Sequence, residues 1–174
     1  MNEVIEIERK WVLDGLPEGI VPIKSHEIEQ AYLDVRGLRL RKKDEGYLIT
    51  YKSKGDLARS EWEQEIPAWT YDGLKAEARA VLHKTRHVYN GGEVALELDE
   101  YHGELEGLYT IEAEWALEIP STLTLKARQE LIQDAEKAAK SYILPYQFSN
   151  AHEVTGLKAY SNRSLAVHGL PKPN

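Results

Sequence analysis

The stretch Glu6-Ile7-Glu8-Arg9-Lys10-Trp11 sets charged side chains two positions apart. In a strand, alternate side chains share a face, so Glu6, Glu8 and Lys10 point one way while Ile7, Arg9 and Trp11 point the other. The arrangement recurs along the chain. Arg39 aligns with Arg41, Lys84 with Arg86, Glu97 with Asp99 and Glu112 with Glu114; Lys52 shares a face with Thr50, and Arg59, Glu61 and Glu63 line up against Trp62. Like charges on neighbouring positions repel, so such stacking weakens a sheet unless something of opposite sign lies between. Lysines and arginines gathered on one surface suit a highly charged oxyanion, the guanidinium fork matching phosphate oxygens. Carboxylates on the same surface would repel that anion unless they hold hard divalent cations, Mg²⁺ or Mn²⁺, which bridge carboxylate and phosphate oxygens. Residue types and spacing thus point to metal–polyphosphate chemistry, with a salt-bridged barrel and a sheet with one wet face as the competing arrangements.

These side chains need strands to carry them. The pattern predicts strands near 3–12, 27–35, 37–43, 46–54, 59–66, 80–89, 93–102 and 109–119, separated by turn signals such as Asp44-Glu45-Gly46 and Asn90-Gly91-Gly92. Eight short strands at this spacing suggest a barrel or a sandwich. A closed barrel with its charged faces inward accounts for the alternation best, because the helices can then cover the apolar outer faces. A short helix is predicted over Tyr71 to Ala78 with Thr70 as N-cap, a longer one over Leu125 to Ile143 before Pro145, and a last one over Arg163 to Val167. No repeat or linker divides the chain, so residues 1–174 read as a single domain.

The bulk properties fit. The 174 residues are 42% hydrophobic and 29% charged, with a net charge of −7, which argues against general affinity for nucleic acid or an anionic membrane. There are no cysteines, which removes disulfides and thiolate metal sites and fits a cytoplasmic location. No apolar run reaches membrane-spanning length.

The ordered set of segments resembles the CYTH superfamily, also called triphosphate tunnel metalloenzymes. "EIERK" resembles its ExExK signature, followed in order by "QAYL", "LRLR", "TYKSKG", "RSEWE", "KTR", "ELD", "EAE" and "VT…Y.N..LA" from Val154 to Ala166. The resemblance covers nearly the whole chain and is nearest to small bacterial members that hydrolyse inorganic tripolyphosphate. It implies an eight-stranded antiparallel closed β-barrel flanked by helices, mostly β within an α+β class, with a triphosphate and divalent metal inside. Carried over by position, Glu6, Glu8, Glu112 and Glu114 would be the main metal ligands, converging on one spot. Glu61, Glu63 and Asp99 would be supporting or second-metal carboxylates, and Arg39, Arg41, Lys52, Arg59, Lys84 and Arg86 would grip the phosphates. The lysine–tyrosine pair that prepares the attacking water in tripolyphosphatase-like members corresponds to Lys10 and Tyr32. Among several cations the Lys10 pKa would fall toward neutrality, where it can act as a base.

On this reading the partner is a triphosphate-containing small molecule, not nucleic acid or membrane, and the oligomeric state is left open, a homodimer among the options. Thiamine triphosphatase, nucleoside triphosphatase and class IV adenylyl cyclase are the alternatives on the same fold, and a non-catalytic polyphosphate-binding module is the alternative outside enzymes. The C-terminal segment departs from related sequences at Leu157 and Ala159, where an acidic and a basic residue are common. His83 and His87 are expected to face outward, and Trp62, Trp69 and Trp115 to pack in the core or under helices. No P-loop or dinucleotide fingerprint is present.

Overall fold

The computed structural model describes residues 3–35, 37–53 and 58–171; the side chain of Arg59, and Lys54 at the end of the fourth predicted strand, lie outside them. Strands β1 (Glu3–Leu13), β2 (Lys24–Tyr32), β3 (Leu38–Lys43), β4 (Gly46–Lys52), β5 (Ala58–Glu65), β6 (Ala80–Asn90), β7 (Ala95–Tyr101) and β8 (Tyr109–Ile119) follow the predicted order. All pair antiparallel, in the order β5-β4-β3-β2-β6-β7-β8-β1, and β1 also pairs with β5. That last pairing closes an eight-stranded barrel.

The barrel has its apolar core outside the strands. Ile5 and Ile7 of β1 pack with Ile119 and Ala139 beneath helix α2 (Leu125–Ser141). Trp11 and Leu13 join Leu96, Leu98, Ile111 and Phe148 under the segment that follows α2. Helix α1 (Ala68–Lys75) sends Tyr71 onto Ala31, Leu33 and Leu40. Burial of these outer faces drives the folding, while the charged faces turn inward.

Helix α3 (Asn162–His168) does something different. Its Leu165 is buried against Tyr32, Leu82 and Tyr101, with Leu105 and Leu108 completing the cluster, and so seats on one end of the barrel. The Tyr101 hydroxyl donates to Asn162 Oδ1 at 2.5 Å, which fixes the start of the helix there.

Thr124 caps α2 by accepting from Ala127 N at 3.2 Å, and Ser161 caps α3 by accepting from Ser164 N at 3.2 Å. The Thr70 cap is not formed. Helix α1 begins at Ala68, after Pro67, whose φ of −63° already suits a helix start, and Thr70 lies within its first turn. Trp115 packs between β8 and α2 as expected, but Trp62 on β5 and Trp69 in the first turn of α1 are 53% and 77% exposed.

Arg9 was placed on the apolar side by alternation, and it is there, nearly buried. Its Nη1 donates to the carbonyls of Ala139 (3.0 Å), Lys140 (3.2 Å) and Tyr142 (2.7 Å), at and just beyond the C-terminus of α2, where helix carbonyls run short of intrahelical donors. Glu153 holds the other side of the guanidinium at 2.7 and 2.9 Å. Glu153 and His152 form the short strand β9 (His152–Glu153), which pairs with β1 at Trp11 and Val12, beyond the part of β1 that β5 covers.

Candidate active site

The barrel encloses a cavity of about 340 Å³ lined by residues of all eight strands and by Ser161, Asn162 and Arg163 at the start of α3. Gly37 sits in its wall. With φ at +85°, and with the Lys52 carbonyl oxygen 2.4 Å from where a Cβ would lie, the position admits only glycine, and the tight turn there leads into Arg39.

The register explains why charges meet in pairs. Glu8 lies opposite Glu114, and Lys10 opposite Glu112, across β1 and β8; Arg86 lies opposite Asp99 across β6 and β7. Deep in the barrel, Arg86 is the hub. Its Nε and Nη2 donate to Asp99 at 2.7 Å each, Nη2 also reaches Glu112 at 2.9 Å, and Nη1 meets Glu97. Lys84 donates to Asp99 with neither side chain exposed. Lys10 pairs with the other Glu112 oxygen at 2.8 Å. Nearer the β4–β5 side, Lys52 contacts Glu6 at 2.5 Å and Glu61 at 3.3 Å.

Arg39 and Arg41 are held more loosely. Each lies 3.6 Å from a carboxylate, Glu61 and Glu63 respectively, and the buried Nε of each lacks a hydrogen-bond partner. A buried guanidinium donor left unmade costs on the order of 1–3 kcal/mol. An anion in the cavity would satisfy both.

The carboxylates divide in two. Glu6, Glu8 and Glu114 bring an oxygen each to within 4.8 Å of one another. Glu112, expected with them, is instead taken up by Lys10 and Arg86, and both oxygens of Asp99 are occupied by Lys84 and Arg86. Glu63 accepts from Thr50 Oγ1 at 3.0 Å. The electrostatics follow this division. Burial pushes Glu6 above the usual carboxylate range, helped by the adjacent Glu61, and crowding by protein with the charge of Glu6 pushes Glu114 up to about 8. For Glu112 and Asp99, burial acts the same way but is outweighed by the cations that face them, and both are held low. Three hard oxygen donors whose charges repel one another form a set that a divalent cation fits.

The lysine–tyrosine expectation is altered in two respects. The Tyr32 hydroxyl donates to Gln30 Oε1 at 3.1 Å, on its own strand, while Lys10 is engaged by Glu112. Burial alone would lower the Lys10 pKa, but Glu112, Tyr101 and Glu8 outweigh it and raise it, so Lys10 is an ammonium. The lysine pulled below its usual range, by burial and by Arg86, is Lys84. Sequence reasoning did not single out Gln30, which is fully buried, or the α3 residues in the wall; Gln30 and Asn162 stood in the matched segments as letters without a role. His87 faces outward, bonded to Ser25 and Glu100, and His83 is exposed, as expected.

Residues 4–142 match the profile of the CYTH domain family. The chain is 33% identical over 172 residues to an inorganic triphosphatase of Nitrosomonas europaea, a match covering 93% of this chain and 97% of that protein. Among solved structures, that of the inorganic triphosphatase NE1496 is similar with a TM-score of 0.61 and 27% identity, covering 95% of this chain and 97% of that one. A Hippeastrum protein described as an adenylyl cyclase with a dominant triphosphatase activity shares the fold at a TM-score of 0.55 and 17% identity, covering 99% and 98%.

Proposed function

The chain belongs to the CYTH domain family, and from that premise we propose that it hydrolyses inorganic triphosphate to diphosphate and phosphate inside the barrel, with Mg²⁺ or Mn²⁺. The observation that carries this reading is the coexistence in one cavity of two demands: orphaned buried donors on Arg39 and Arg41, and a crowded carboxylate triad. A metal–polyphosphate complex meets both.

Glu6, Glu8 and Glu114 would hold the cation, which when bound neutralises charge on the phosphate oxygens. Arg39, Arg41, Lys52 and Arg86 line the cavity and grip the phosphates; Arg59 joins them by its place in the sequence pattern. Asp99, which also holds Lys84, anchors Arg86 from below, and Glu112 holds Lys10. Glu61 and Glu63 keep Lys52, Arg39 and Arg41 turned toward the lumen. Phosphoryl transfer asks the protein mainly for positioning and charge stabilisation, which preset cations supply without reorganisation. Lys10, held as an ammonium by Glu112 at 2.8 Å, donates to a phosphoryl oxygen or to the attacking water. Tyr32 orients that water from the α3 end of the cavity.

A phosphate-release panel tests the reading. Tripolyphosphate should be turned over faster than ATP, thiamine triphosphate or pyrophosphate, EDTA should abolish release, and added Mg²⁺ or Mn²⁺ should restore it. Undiminished release in EDTA would end the metal role; cyclic AMP from ATP would move the assignment to a cyclase. Tyr32→Phe removes only a hydroxyl and should lower kcat by about a hundredfold with little change in substrate affinity. Wild-type kcat in that variant would take Tyr32 out of the chemistry.

A further inference from the structure

We propose that Arg163, on α3 and outside the barrel strands, is a substrate-binding residue that holds the phosphate at the α3 end of the cavity. The proposal rests on the triphosphatase reading and names a further contact of that site.

Arg163 lines the cavity together with Tyr32, Arg39 and Arg41. Its Nη1 donates to the Leu33 carbonyl at 2.9 Å, immediately after Tyr32, which draws the guanidinium to the rim where β2 ends. That tether uses one of five N–H donors and leaves the rest of the fork for a ligand.

Its charge is also uncommitted. Lys10, Arg39, Arg41, Lys52, Lys84 and Arg86 each lie within 4 Å of a carboxylate, whereas among the described residues no carboxylate pairs with Arg163. An anion that engages a paired cation must share it with its carboxylate; one that engages Arg163 meets a full positive charge. The terminal phosphate of a linear triphosphate carries the most charge, so the α3 end suits a chain terminus. The helix is well placed to present the side chain, because Leu165 is buried under it and Tyr101 holds Asn162.

The test compares binding and turnover in the full chain. Binding is measured calorimetrically with the non-hydrolysable imidotriphosphate in Mg²⁺, and turnover with tripolyphosphate. Arg163→Ala should weaken binding and raise KM by about ten- to a hundredfold, the scale of a charged hydrogen bond, with a smaller change in kcat. Arg163→Lys should recover part of the loss, since it restores charge without the fork. Leu165→Ala loosens α3 without touching the guanidinium and should leave affinity closer to wild type. Binding by Arg163→Ala within twofold of wild type would overturn the proposal, and so would an equal loss in Leu165→Ala. Wild-type protein that binds imidotriphosphate but never cleaves tripolyphosphate would sink the hydrolase reading alone, with the binding comparison still deciding on Arg163. Wild-type protein that does not bind would sink both.

Discussion

Asp99→Ala should destabilise the fold by about 3–5 kcal/mol, the usual cost of leaving a buried ion pair with one partner missing. Asp99 is fully buried, and it is the shared counter-ion of Lys84 and Arg86. Removing it takes from Lys84 the carboxylate it pairs with and leaves Arg86 to Glu97 and Glu112. Asp99→Asn keeps the shape and an acceptor but loses the charge, so it should fall between wild type and Ala. The pH dependence follows from the low Asp99 pKa: burial would raise it, but Arg86 and Lys84 hold it down. A carboxyl with a depressed folded-state pKa stabilises above its unfolded value and loses that contribution as pH falls through the folded one. The stability contributed by the Asp99 carboxylate is therefore intact at neutral pH and lost only in acid. Urea unfolding at pH 7 measures the effect; an Asp99→Ala protein within 1 kcal/mol of wild type would mean the two cations find other partners at little cost.

Glu114→Gln should exchange activity for stability. Removing one member of the carboxylate triad should lower tripolyphosphate turnover by about a hundredfold or more, if these oxygens hold the cation that offsets phosphate charge. In EDTA the same change should raise the melting temperature, because it relieves like-charge crowding. The sign comes from Glu114, whose carboxyl is pushed up to about 8 from an ordinary 4.5. A raised folded-state pKa gives stability that is fully present below the unfolded value and is lost as pH rises through the folded value. Cation-free wild-type protein should accordingly lose stability between pH 5 and 8 in proportion to that ionisation, and the Gln variant should lose less. A divalent cation takes the proton's place, so its binding near neutral pH should release protons, seen as a calorimetric heat that varies with the ionisation enthalpy of the buffer. Wild-type turnover and cation affinity in Glu114→Gln would show that the triad is not the cation site.

The barrel and the direction of its charged faces were legible because alternation is a local property. Glu6, Glu8, Arg39, Arg41, Arg86 and Glu114 all line the interior, as their spacing indicated. How the charges pair inside was not legible. Glu112 and Glu114 stand two apart on one face, yet one meets Lys10 and Arg86 while the other meets Glu6 and Glu8, because the register with β1 and β7 sets their depth in the barrel. The same holds for Lys10, whose charge state depends on which carboxylate lies opposite, a fact of pairing across strands. Arg9 was placed on the correct side, but its role in closing off α2 depends on where a helix more than a hundred residues later comes to rest. Trp62 and Trp69 misled because a large apolar side chain marks only a preference for cover, and on β5 and in the first turn of α1 both stay more than half exposed.

The way β1 is shared has a consequence for how the chain is made. One edge of β1 pairs along its length with β8, and the other is divided between β5 and β9. In synthesis β1 therefore waits some hundred residues for β8, and until then Ile5, Ile7 and Trp11 lack the cover of β8 and α2. Contacts of such wide sequence separation make closure a slow, late event. During that wait the alternating Glu6, Glu8 and Lys10 act as gatekeepers, since matching nascent strands in register would stack carboxylate on carboxylate. The charges that line the finished cavity thus also protect the growing chain from its neighbours on the same message.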